Sequence, residues 1–203
     1  MFSKDLKTQA KADRNDLVTA IIVGTLAIGF LVYDGIRRIS ALFAAPGLIT
    51  VEAPIETQTI TADLGGGAPA TVDSATLVVD GVNMVSVVCL VLAIVVGVVG
   101  LIVVAALGVV LCRRLAQGAA FDAVNLRLTF GISIALLVAG LGEVWFQNMG
   151  LNGVFAALGD EFNGQTGLFL QAVPLYVTAL AVGVLVIVFR RGIRLQKDTE
   201  GLV

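Results

Sequence analysis

The chain has 203 residues, of which 58% are hydrophobic and only 14% charged, with a mean hydropathy of +0.98 and a formal net charge of -2. A soluble domain is nearer half apolar and a quarter charged, so this composition points to a membrane protein. There is no histidine, which excludes His-ligated zinc or iron and any nucleophile activated by an imidazole.

In chain order, the basic tail 1–16 is followed by a first apolar stretch from about Leu17 to Tyr33, read as a membrane helix over 17–38. Its apolar core is longer than that of a cleaved signal peptide. Asp34, Arg37 and Arg38 also come before any small-residue cleavage site, so a retained anchor is expected. The segment 39–83 is different in kind. ITVEAPIETQTITADL and PATVDSATLVVDG are rich in Thr, Val and Ile and are separated by Gly65, Gly66 and Gly67, which predicts two strands joined by a glycine turn. Glu52, Glu56, Asp63, Asp73 and Asp80 make this hairpin acidic. A lone two-stranded hairpin is marginal in water and needs helix ends, a second copy or a partner to pack on.

Met84 to Cys112 carries no charge and is read as a second membrane helix extending over 84–117. Cys89 and Cys112 lie on this one predicted helix, too far apart for a disulfide, and are expected as free thiols. A short loop, 118–122, has Gly118 as a left-handed helix cap and Asp122 as the N-cap of the third helix, 123–147. Phe121 stands where an apolar residue staples the entering chain. The segment 148–167 is predicted as a second outer loop with a short interfacial helix presenting Phe155 and Leu158. The fourth helix spans 168–197, with Pro174 starting it or kinking its first turns, and 198–203 is a tail.

Eleven of the 13 basic residues fall in three places: the N-terminal tail, the segment with Arg113, Arg114 and Arg127, and the C-terminal tail. No Lys or Arg occurs from Ile39 to Leu111 or from Leu128 to Phe189. The positive-inside rule therefore predicts both termini in the cytoplasm and the two longer loops outside. The expected fold is an all-α membrane protein of four transmembrane helices, N-in and C-in, with a small β-hairpin in an extracytoplasmic loop. Richness in Ala, Val and Gly, with more Arg than Lys, suggests a GC-rich bacterium and its cytoplasmic membrane.

Gly131, Ala135 and Ala139 form a small-residue stripe of the kind that packs closely in lipid, and Glu143 continues it. An ionisable residue inside a membrane helix is a candidate site. Glu143 with Arg37 or Arg38, near Asp34 and Gln147, forms a candidate polar cluster for a ligand or a proton. The simpler reading is a structural ion pair near the helix end, with Trp145 in the interfacial belt. A second candidate is an inner docking face: Arg113, Arg114, Gly118, Phe121, Asp122 and Asn125, with Arg190, Arg191, Arg194 and Lys197. Positive-inside charge facing anionic lipid headgroups is the simpler and preferred account of it. No motif points to direct nucleic-acid binding, and no nucleophile, base or metal set points to an enzyme or a cofactor. Neither a chain of intramembrane carboxylates nor matched broken helices suggest a transporter.

Two stretches, RRLAQGAAFDAVNLRL and VFRRGIRLQKDTEGLV, resemble a bacterial family of four-helix membrane proteins catalogued as domain of unknown function two-nine-seven-five. The likeness lies in Gly118, Phe121 and Asn125 before the third helix and in Phe189, Gly192, Leu195 and Glu200 in the tail. In topology it covers roughly the last 120 residues. The resemblance implies a cytosolic helix-turn-helix regulator as partner, docked on the inner face, and no catalytic residue. The expected function is a sensor-like regulatory membrane protein. The alternatives are a subunit of a small-molecule or ion transporter using Glu143 and Arg37 or Arg38, or a structural accessory subunit of a larger membrane complex; a homo-oligomer is a further candidate assembly.

Overall fold

The computed structural model describes residues 2–62, 67–118 and 122–200, and the side-chain surroundings of 15–59, 67, 70–118 and 122–194. Its elements are α1 (Phe2–Leu42), β1 (Ile49–Ala62), β2 (Ala68–Val79), α2 (Met84–Ala116), α3 (Ala123–Ala157) and α4 (Gln165–Glu200). Among the described residues four segments are long and apolar enough to cross a membrane: Asn15–Leu42, Met84–Ala116, Ala123–Ala157 and Gln165–Arg194. At about 1.5 Å per residue each exceeds a hydrocarbon core of roughly 30 Å. Large apolar side chains such as Val23, Leu26 and Phe30 on α1 and Leu180, Val184 and Ile187 on α4 are exposed, as suits helices solvated by lipid.

The chain divides into two compact units, and the division cuts each helix once. The first unit, residues 1–33, 98–139 and 174–203, is helical where described apart from the turn between α2 and α3. Its helices meet through small residues. Gly24 on α1 lies against Val109 of α2, and Gly100 on α2 lies against the fully buried Ala139 of α3. Ser133 on α3 donates a 2.8 Å hydrogen bond to the carbonyl of Ala179 on α4. Packing contacts and interhelical hydrogen bonds hold helices together where lipid supplies no hydrophobic drive.

The second unit, residues 34–97 and 140–173, contains the hairpin. β1 and β2 pair antiparallel from Ile49 opposite Val79 to Ala62 opposite Ala68. The register breaks between Pro54 and Gln58, where a proline that cannot donate to the ladder interrupts the pairing. The hairpin packs on helix ends: Ala53 and Val79 join Leu42, Leu90, Leu151, Val154, Phe162 and Leu168 in one buried cluster. That contact answers the marginal stability of an isolated hairpin. Asn83 caps α2, its side-chain oxygen accepting from the backbone N–H of Ser86 at 2.9 Å.

One predicted element is corrected. Residues 148–157 form no separate interfacial helix; α3 runs unbroken to Ala157 and ends at Gly159, whose φ of 76° and the Asp160 N–H to Phe155 carbonyl bond make a left-handed cap. The reason is packing. Gly150 and Gly153 let α3 stay close to Leu90 and Ser86 of α2, while Leu151 and Val154 are fully buried. Of the two residues expected on the apolar face of that short helix, Phe155 is half-buried against the Phe162 ring and Leu158 is exposed. We expect amide hydrogens over 150–157 to exchange as slowly as those of Met84–Gly97. Hydrogen-exchange mass spectrometry checks this, and rapid exchange beyond Gln147 would indicate a loop instead. Pro174 does not start α4; it sits inside the helix that begins at Gln165, in its third turn.

Candidate functional site

The polar cluster lies within the second unit and resolves into two ion pairs. Arg37 pairs with Asp34 one turn earlier on α1, its Nη2 donating to Oδ1 at 2.9 Å. Arg38 reaches across to α3, its Nη2 2.8 Å from Glu143 Oε1. The Glu143 carboxylate lies over Gly97 of α2: a Cβ there would come within 2.4 Å of Oε2. Glycine at 97 thus makes the room that lets a carboxylate occupy this helix-packing position. The pair is neither bare nor sealed, with side chains 36% and 25% exposed.

Both arginines, Glu143 and Gln147 line one cleft of about 420 Å³. Asp34 stands outside the lining, engaged with Arg37. Four further polar residues enter the cleft that the sequence reading did not assign to the cluster, Thr50 and Ser74 of the hairpin among them. Glu52 comes from β1, and Gln171 from the start of α4. The signal for Gln171 was a lone amide in the otherwise apolar GLFLQAVP, but nothing local said where it faces. Leu42, Leu90, Ala93 and Ile94 supply an apolar wall. The result is a small amphipathic cleft with two cationic and two anionic groups. Among the described residues no group of three His, Cys, Asp or Glu could hold a metal ion. Cys89 and Cys112 are both free thiols.

The second candidate lies in the first unit. Gly118, with φ 85°, ends α2, and Asp122 caps α3 by accepting from the Asn125 N–H at 2.7 Å. Arg114 also binds Asp122, and its Nε donates to Asn125 Oδ1 at 3.0 Å. Asn125 is fully buried and Arg114 is engaged with the loop, so these two brace the turn and are not an open docking face. The physical reason is the shortness of the connection, which brings the last turn of α2 beside the first turn of α3. Arg113, Arg190, Arg191 and Arg194 are exposed. Phe121 and the side chain of Lys197 lie outside the described residues.

The backbone hydrogen bond from Asn125, helped by Arg114, holds the Asp122 carboxyl below the ordinary aspartate value of 3.8. A carboxylate whose folded value is depressed stabilises the fold fully above its ordinary value and loses that contribution as pH falls through the lower one. We therefore expect the first turn of α3 to loosen only below about pH 3.8 in the native chain, and at every pH in Asp122→Ala. Hydrogen exchange at residues 123–127 measures it; a loosening already complete by pH 5 would contradict this cap.

Comparison with protein-family models, with curated proteins and with solved structures finds no match. The likeness to the four-helix family therefore rests on the two sequence stretches alone.

Proposed function

We propose that the chain is a multi-pass protein of a bacterial cytoplasmic membrane, with both termini inside, that works as a sensor-like regulator. The cleft beside the hairpin receives a signal outside the cell, and Arg113, Arg190, Arg191 and Arg194 dock a cytosolic partner. The observation that carries this reading is the cleft: charged and amide side chains converge on one cavity in a chain otherwise dominated by apolar helices. A protein that only filled a place in a complex would not need such a cavity. The charge asymmetry along the sequence supports the orientation.

The test is affinity capture from native membranes in mild detergent, followed by mass spectrometry, with the chain and with Arg190, Arg191 and Arg194 all changed to Ala. A stoichiometric cytosolic protein, ideally a DNA-binding one, that is lost with the triple variant supports the reading. Undiminished capture by the variant, or no cytosolic partner with either, sinks it. A transport role is the second reading, favoured by the place of Glu143 inside a membrane-length helix. It requires Glu143→Gln to stop flux in cells at equal amounts of folded protein in the membrane.

A further inference from the structure

We infer that the cleft binds a small zwitterion, a molecule carrying one oxyanion and one ammonium group on an apolar body. This deepens the sensing half of the proposed function and is independent of the docking half.

Three observations lead there. The first is size: about 420 Å³ lies within the range of small-molecule sites. The second is charge. Arg37 and Arg38 line the cleft together with Glu52 and Glu143, so the lining is balanced. A ligand of one sign drawn to the arginines or to the glutamates meets like charge close by, whereas a zwitterion matches both. The third is donor capacity. Arg38 spends one nitrogen on Glu143, and Arg37 spends two on Asp34. A guanidinium carries five N–H donors, so both retain N–H groups to offer an oxyanion, and the exposed Glu52 offers its carboxylate to an ammonium. Gln147 and Gln171 add amide donors and acceptors at the rim, and the wall of Leu90 and Ile94 accepts an apolar body.

Two sources share this chemistry: a free amino acid, and the phosphate-ammonium headgroup of a zwitterionic lipid. Purified full-length chain in maltoside micelles is titrated by calorimetry with the neutral amino acids and with dihexanoyl phosphatidylethanolamine. Each amino acid that binds is then compared with its amide, which keeps only the ammonium, and its deaminated acid, which keeps only the carboxylate. The inference expects each single-charge analogue to bind at least about tenfold more weakly, the value of one charge-assisted hydrogen bond. Gln171→Ala, a change at an exposed position, is expected to weaken binding with the melting temperature unchanged, so the result does not depend on variants of the ion pair folding. Binding of amino acids alone, or of the lipid alone, supports the class and names the source. No binding by either, or an analogue that matches its parent, overturns it. Neither failure touches capture of a cytosolic partner, and loss of that capture would not touch this binding.

Discussion

Gly100→Val is expected to force α2 and α3 apart and to cost about 3 kcal/mol, the upper end of the usual range for overpacking a close contact. A Cβ at position 100 would meet the Ala139 Cβ at 2.5 Å and its Cα at 3.1 Å, with the Ala135 carbonyl oxygen at 3.5 Å. Two of these three are backbone atoms, so no rotamer change relieves the clash and the helices themselves must move. Ala139 is fully buried, which leaves no free side to yield into. Gly108→Val on the same helix is the control: a Cβ there meets nothing within 4 Å. Thermal unfolding in micelles should show a drop of roughly 5–10 °C for the first variant and little change for the second. Equal melting temperatures for both would refute this helix contact.

The second large effect is expected at the ion pair. Arg38→Gln and Glu143→Gln should each cost about 2 kcal/mol, between the small value of an exposed pair and the several kcal/mol of breaking a buried one. The double variant should cost clearly less than the two together, because each single change leaves the other charge unpaired beside apolar α2. Gly97→Ala tests the same contact from the opposite wall, since its methyl would occupy the space of the carboxylate oxygen. Additive losses in the double variant would mean that Arg38 and Glu143 act independently, and the ion pair would then have no energetic meaning.

Much of this architecture was legible in the sequence. Runs of apolar residues long enough for a bilayer marked the four helices, and the Thr- and Val-rich stretches around Gly65–Gly67 marked the hairpin. Gly118 and Asp122 announced the caps between α2 and α3, because a left-handed glycine and an N-cap carboxylate are local solutions to unpaired backbone groups. The composition alone pointed to a membrane protein. Asp34, Arg37, Arg38, Glu143 and Gln147 were identifiable as the polar residues placed where the helices are otherwise apolar.

Only the tertiary structure decided who pairs with whom. Arg37 and Arg38 are adjacent, so their side chains leave α1 about 100° apart. Which one meets Glu143 depends on how α1 is rotated against α3, which no local pattern states. The extension of α3 to Ala157 likewise depends on Leu90 and Ser86 of α2 standing opposite Gly150 and Gly153. Glu52 and Gln171, distant in sequence, reach one cleft because a hairpin and the start of a helix pack on the same buried cluster. Asn125 looked like a surface residue before a helix and is buried because the short turn folds Arg114 back over it. Periodicity and caps are properties of a few neighbouring residues, so the sequence determined them. Facing, pairing and burial are properties of two segments at once, so they waited for the packing.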